Sequence, residues 1–173
     1  TDTALAPATT YYYKLRTVGL TGESVLVPTA DVQALWRFDN NYTDASGYAR
    51  TLTPNNSPVF TAADKQQGTH ALDLDGVSRD VTINTATGDY LRGGYSSKTI
   101  AFWMRADATT NSRGVIDLGG ADNGLAIRLN TNQIIAGIAS ANTRRSISAA
   151  YNSTAWNHIA LVYGGTTLRL YVN

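Results

Sequence analysis

Alternation of apolar and polar residues along short segments is the feature that most constrains the fold of this 173-residue chain. Successive side chains of a β-strand point to opposite faces, so this pattern is typical of half-buried strands. Gly/Asn-rich clusters separate the segments and are typical of turns. The predicted strands are Tyr11–Val18, Ser24–Val27, Ala34–Phe38, Thr69–Leu74, Asp80–Ile83, Thr99–Arg105, Gly114–Leu118, Leu125–Leu129, Ile134–Ala139, Arg144–Ala149, Trp156–Tyr163 and Thr167–Val172.

Many short strands joined by tight turns predict an all-β fold, an antiparallel β-sandwich or jelly roll. Helical periodicity is nearly absent, and we expect at most one helical turn, near Thr61–Lys65. Apolar residues make up 43% of the chain, which is enough for a proper core.

Charge and cysteine content exclude several classes of function. The net charge is +1 and only 16% of residues are charged, which gives no electrostatic argument for binding nucleic acid or inserting into a membrane. The chain has no cysteine, so disulfides, thiolate nucleophiles and cysteine zinc sites are excluded. No apolar run approaches the roughly 20 residues that span a bilayer.

The first residues resemble the end of a different domain. In TTYYYKLRTVGLTGES, alternate residues from Tyr11 face one side, and Gly22 suits a hairpin turn. The spacing Leu5-x-Pro7-x-Thr9-x-Tyr11 resembles the last strands of a fibronectin type III domain, which implies that Tyr11 is the tyrosine of a tyrosine corner. We therefore assign residues 1–27 to the C-terminal part of such a domain and 28–31 to a linker.

Residues 32–173 carry a second set of ordered motifs. They are ALWRFDNN, YTDASG, ALDLDG, FWMR and WNHIA, in that order. This set resembles the laminin-G-like (LamG-like) jelly roll of the concanavalin A-like lectin/glucanase superfamily. The resemblance implies an antiparallel β-sandwich over residues 32–173 and, because a fold hosts many functions, leaves the ligand open.

Members of the resembled family continue with a glycine turn and two further strands after the segment matching Leu168–Asn173. The sequence thus looks incomplete relative to both families. Either it is part of a longer protein, which we favour, or its N-terminal hairpin completes the sheet of a neighbouring subunit by strand donation. The second alternative includes self-assembly through unpaired strands.

Catalysis is not predicted. The only glutamate is Glu23, in the fibronectin-like segment, whereas glycosidases of the resembled superfamily use glutamates on an inner strand. Asp73 and Asp75 share a strand face about 7 Å apart, a separation compatible with sugar hydrolysis. We favour a turn at Asp75-Gly76 and a solvated Asp73, and we find no nucleophilic constellation for His70 or His158.

Three aspartates in predicted loops suggest a structural calcium ion. Asp39, Asp44 and Asp75 supply hard oxygen ligands, and related jelly rolls often hold calcium through loop aspartates. The alternative is that these side chains cap their own loops as Asx-turns.

Sugar binding is predicted from side chains in or beside loops. Tyrosine combines an apolar ring face with a hydroxyl, which suits stacking on a pyranose, and arginine adds donors. The candidates are Tyr42, Tyr48, Tyr90, Tyr95 and Arg144, and Tyr151, Arg79, Arg92 and Arg145 are further residues of the same kind. The alternative is that they are ordinary tyrosines of a sandwich surface.

The resemblance implies a non-catalytic carbohydrate- or matrix-binding adhesion module of a larger bacterial surface protein. Its partner would be a glycan or an extracellular matrix or surface protein, and its location extracellular or at the cell surface. Two alternatives remain: a structural building block of a filament, sheath or surface layer, and an accessory domain of a secreted glycoside hydrolase.

Overall fold

The computed structural model describes residues 32–83, 91, 95–119, 123–140, 143–151 and 154–173, and contains only β-strands as regular elements there. The strands are β1 Leu52–Asn55, β2 Val59–Thr61, β3 Ala71–Asp73, β4 Asp80–Ile83, β5 Ser97–Met104, β6 Arg113–Gly119, β7 Gly124–Leu129, β8 Gln133–Ser140, β9 Thr143–Ala150, β10 Asn157–Gly164 and β11 Thr167–Val172.

The strands pair only in antiparallel fashion. The largest sheet has four strands in the order β6-β7-β8-β9, and a second sheet has three in the order β11-β10-β5. Two shorter ladders pair β1 with β4 and β2 with β3. The predicted all-β antiparallel fold is thereby confirmed.

The core lies between the four-stranded and the three-stranded sheet. Ile127 and Ile134 from the former and Ile159 and Leu161 from the latter are almost completely buried in one cluster. Alternation then sends the intervening side chains of β7, such as Arg128, to the outer face, where they are exposed. Burying these core side chains stabilises the fold by about 1.5–3 kcal/mol each.

Predicted and observed strands agree closely in the second half of the chain and less well in the first. The segment Ala34–Phe38, predicted as a strand, forms only an isolated bridge from Trp36 to Asp44. The reason is local: Phe38 and Asn40 adopt φ angles of 57° and 60°, which end extended backbone.

Two strands, β1 and β2, were not predicted. Pro54 lies inside β1, although proline cannot donate to a ladder and is confined to edge strands, strand starts or bulges. Only one strand, β4, pairs with β1 in the described part of the chain, so its other side can accommodate Pro54. The chain turns at Asn56 and Ser57, which both have a positive φ. In the segment Thr61–Lys65, Thr61 ends β2 and bends follow at 62–64, so the expected helical turn does not form.

The fibronectin-like segment 1–27, the linker 28–31, Tyr90 and Arg92 lie outside the described residues, so the predictions for them stay predictions. Among the residues that the structure describes, no helix is long and apolar enough to cross a membrane.

Candidate functional site

The outer face of the four-stranded sheet carries a shallow trough. Strand pairing places Asp117, Ala126, Gly137 and Ser146 in one row across β6, β7, β8 and β9. Two adjoining depressions, of about 250 and 240 Å³, meet at this row and share Ala126 and Gly137. We call this combined surface the sheet trough.

Gly137 forms the centre of the trough floor, and the fold does not require a glycine there. Its φ lies outside the left-handed region, and a Cβ would approach only the Arg145 carbonyl oxygen, at 3.6 Å, an ordinary contact. Glycine inside a strand costs about 0.5–1 kcal/mol relative to alanine. The glycine therefore keeps the trough open at the expense of stability.

Arginines mark the two ends of the trough. Arg144 lines the first depression and Arg128 the second, and both are exposed. Their guanidinium groups, like the carboxylate of Asp117, make no hydrogen bond or ion pair with any described residue. The trough thus presents uncommitted charged donors and acceptors to solvent.

Of the predicted sugar-binding residues that the structure describes, Arg144 and its neighbour Arg145 line the trough. Sequence reasoning missed Asp117, Arg128 and Gly137. The alternation along each strand could have placed these residues on the outer face of the sheet, away from the buried Ile127. Their proximity to one another depends on the register between strands, which the sequence does not show.

The predicted tyrosines occupy other environments. The Tyr42 ring packs on Phe60 with ring centroids 4.7 Å apart, and its hydroxyl donates to the Pro58 carbonyl. Tyr48 is 47% exposed, with the Arg50 guanidinium 4.5 Å from its ring centroid. Tyr48 therefore remains available as a solvent-facing ring, whereas Tyr42 has a packing role.

Tyr95 is a core residue, which corrects its prediction as a loop platform. It is 7% exposed, packs edge-on against Tyr163 and donates its hydroxyl to the Gly124 carbonyl at 2.7 Å. Tyr151, also near a predicted loop, is almost fully buried, and that burial raises the pKa of its hydroxyl. Proximity to a turn does not specify which way a tyrosine points.

The loop that contains Asp44 is organised around its carboxylate. Asp44 is 8% exposed and accepts hydrogen bonds from the backbone N–H groups of Leu35, Ser46 and Arg50 at 2.9–3.0 Å. The Ser46 hydroxyl donates to it at 2.7 Å. Burial raises the pKa of Asp44, but these donors outweigh that effect, and the net pKa is lowered.

Asp75 anchors a second loop in the same way. Its Oδ1 accepts the backbone N–H groups of Val77, Ser78 and Arg79, each at 2.9 Å. These bonds, led by the one from Arg79, hold the pKa of the Asp75 carboxyl far below its ordinary value. The carboxylate therefore stays ionised near neutral pH and does not serve as a general acid with its exposed neighbour Asp73.

Asp39 anchors a third segment. Both the backbone N–H and the hydroxyl of Thr69 donate to its carboxylate, and the backbone bond is the main cause of its lowered pKa. Gly68 packs directly against this carboxylate: a Cβ there would clash with Oδ1 of Asp39, and its φ of +67° also favours glycine.

The three aspartates predicted to bind calcium thus each serve a separate loop. No group of three or more His, Cys, Asp or Glu side chains suited to a metal ion occurs within the described ranges. The described N–H donors occupy acceptor positions on these carboxylates that a cation would need. The residues present do not fit one joint calcium site, and calcium binding stays a prediction.

Chelation tests the calcium prediction. If calcium binds elsewhere in the oxygen-rich loops, added calcium should raise the melting temperature, because a ligand that binds the folded state stabilises that state. EDTA should then lower the melting temperature to its value without calcium. Magnesium at the same concentration is the control for ionic strength. A melting temperature that is the same in calcium and in EDTA would refute calcium binding.

Acid should destabilise the domain through the three anchoring aspartates. Their pKa values are lowered from 3.8 in the folded state, so their stabilisation is present above that value and is lost as pH falls towards the folded pKa. We expect a constant melting temperature from pH 7 to about pH 5 and a decline below about pH 4. Thermal denaturation at a series of pH values measures the melting temperature. A melting temperature that stays constant down to pH 2 would contradict the prediction.

The architecture is that of a β-sandwich with an open, shallow surface site. The sequence profile of a laminin G family, described as the concanavalin A-like lectin/glucanases superfamily, matches residues 75–173, more than half of the chain. The chain belongs to this family, and the predicted LamG-like resemblance is confirmed for that part. No curated protein matches the chain.

Solved structures of botulinum neurotoxins are among those with a similar fold. The serotype G binding domain aligns with a TM-score of 0.60 at 17% identity, covering 75% of this chain and 34% of that one. The serotype DC binding domain in complex with rat synaptotagmin II has a TM-score of 0.58 at 13% identity, covering 82% and 37%. A type C neurotoxin structure, described as dependent on two ganglioside molecules for cell entry, has a TM-score of 0.59 at 14% identity, covering 80% and 36%. The chain spans about a third of the length of these proteins, and the likeness concerns the fold.

Proposed function

We propose that this domain is a non-catalytic carbohydrate-binding module and that the sheet trough is its binding surface. The observation that carries this proposal is Gly137, a glycine in the middle of a strand that keeps the trough open although the backbone does not require it. Uncommitted polar groups at Asp117, Arg128 and Arg144 surround this open floor and suit a hydroxyl-rich ligand.

Similar folds in known binding proteins support the proposal. The type C neurotoxin enters cells through gangliosides, and a neurotoxin DC binding domain is described in complex with SialylT. Those ligands belong to those proteins. This chain aligns with about a third of each of those chains, so they support the proposal through the shared fold alone.

The carboxylates among the described residues that line the trough argue for binding without hydrolysis. These residues include one carboxylate, that of Asp117, whereas glycosidases of the common type use two. We further propose that the domain acts outside the cell, as one module of a larger surface or secreted protein whose other domains supply anchoring or catalysis.

A glycan array probed with the domain tests the function. Binding to a restricted set of glycans, reproduced by titration calorimetry with the free oligosaccharide, would support a carbohydrate-binding module. Hydrolysis products in the same titration, sought by mass spectrometry, would contradict the non-catalytic assignment. No binding to any glycan on the array would refute the function.

Self-assembly is a second candidate function, favoured by an open strand edge. β5 is eight residues long and pairs with only one strand, β10, within the described chain. Such edges are templates for pairing with another chain. Light scattering over a range of concentrations tests it: a mass that grows with concentration supports self-assembly, and a constant monomer mass contradicts it.

A further inference from the structure

We propose that the ligand of the sheet trough is an extended acidic glycan, one that carries carboxylate or sulfate groups on separate sugar units. The inference rests on the proposed carbohydrate-binding function and specifies its ligand class. It assigns one acidic group to Arg144 and another to Arg128, with the glycan chain crossing Gly137 between them.

Strand register sets this diagonal geometry. Arg128 on β7 pairs with Ile135, and Arg144 on β9 pairs with Ala139, so both arginines flank β8 from opposite sides. Gly137 lies midway between those two β8 residues. Four residues along a strand and two strand spacings across the sheet separate the arginine Cα atoms by about 16 Å. A ligand that meets both arginines is therefore extended and passes over the glycine.

The electrostatic state of these arginines favours an anionic ligand. Elsewhere in the described chain, Arg79 lies 3.8 Å from Asp75, and Arg105 lies 2.7 Å from Asp64. Arg128 and Arg144 form no such pair with any residue that the structure describes. A guanidinium group presents donors that match a carboxylate or sulfate in bidentate fashion, and charge-assisted hydrogen bonds are roughly twice as strong as neutral ones.

Asp117 distinguishes an acidic glycan from a nucleic acid. Its carboxylate lies on the same face, in the row of Gly137, and is free to accept sugar hydroxyl groups. A nucleic acid carries a phosphate at every unit and would place one of these negative charges close to the Asp117 carboxylate. Repulsion between the like charges would weaken the binding of a nucleic acid. A glycan with spaced acidic groups can place hydroxyls there instead.

Matched polysaccharide pairs test the inference. Comparing the binding of dextran sulfate with that of dextran tests the contribution of sulfate groups. Comparing polygalacturonate with its carboxyl-reduced form tests the contribution of carboxylate groups. We expect at least one acidic polymer to bind at least tenfold more tightly than its neutral counterpart, and to bind more weakly as salt is raised. A single-stranded oligonucleotide of similar charge should bind more weakly than that acidic polymer.

Substitutions then locate the site. Arg144→Gln and Arg128→Gln should each weaken binding of the preferred acidic polymer about tenfold, because each removes a charge-assisted contact. Arg169→Gln is the matched control: Arg169 is an exposed, uncommitted arginine on β11 in the other sheet, and its loss changes the net charge equally. Melting temperatures should be unchanged in all three variants.

The outcomes separate the inference from the proposed function. Equal binding of acidic and neutral polymers, or equal losses in all three variants, would overturn the acidic ligand and leave a carbohydrate-binding module standing. Tighter binding of the oligonucleotide would show a general polyanion surface and also overturn it. Failure to bind any polysaccharide or arrayed glycan would refute the function itself.

Discussion

Replacing Gly137 by valine is expected to weaken glycan binding by about 10- to 100-fold while leaving the domain at least as stable as before. Valine has a high β-propensity, and its Cβ would contact only the Arg145 carbonyl oxygen at 3.6 Å. Stability should rise by about 0.5–1 kcal/mol, as expected when a strand glycine receives a side chain. The added branched side chain stands in the middle of the trough and displaces the ligand.

The expected binding loss is about 10- to 100-fold, which corresponds to the 1–3 kcal/mol typical of overpacking. Calorimetric titration with a glycan bound by the wild-type domain measures the loss, and thermal denaturation measures stability. Gly164→Val is the control, because Gly164 also has open space around it but lies on β10 in the other sheet. Wild-type affinity in Gly137→Val would show that the trough is not the binding surface.

Replacing Asp44 by alanine is expected to destabilise the domain by about 3 kcal/mol, because it leaves partly buried N–H donors without their charged acceptor. Those donors belong to Leu35, Ser46 and Arg50, so the substitution releases a loop that one carboxylate holds together. For a domain of this size, the melting temperature should fall by about 6–12 °C.

Asp107→Ala is the matched control for this prediction. Its side chain is 88% exposed and pairs with Arg105 at 2.9 Å, a surface ion pair that contributes less than about 1 kcal/mol. The melting temperature of Asp44→Asn should lie between those of Asp44→Ala and Asp107→Ala. The amide keeps one acceptor oxygen, but its NH2 group faces an N–H donor that the carboxylate had bound. Equal melting temperatures for Asp44→Ala and Asp107→Ala would contradict the anchoring role.

Local sequence signals predicted one loop correctly and named a residue that lines the trough. The turn at Asp75-Gly76 follows from residue types only two to four positions apart, and the structure confirms it with three backbone hydrogen bonds. Arg144 was predicted as a ligand contact, and it lies at one end of the trough. Whether it contacts a ligand stays a prediction.

Other parts of the site could not be predicted. Tyr95 sits beside glycines in the sequence, yet its ring packs against Tyr163, a residue far along the chain. Gly137 reads as an ordinary glycine in an apolar segment, and nothing local shows that its neighbours across the sheet are Ala126 and Ser146. The burial of Tyr95 and the neighbours of Gly137 both depend on contacts between distant segments.

The sequence by itself determined the all-β class, most strand positions and the family motifs, because alternation and turn chemistry act over a few residues. It also determined which side chains of a strand share a face. Only the tertiary structure decided the order and register of the strands, since these depend on pairing between distant segments. That pairing brings Arg128, Gly137 and Arg144 onto one diagonal and so forms the trough.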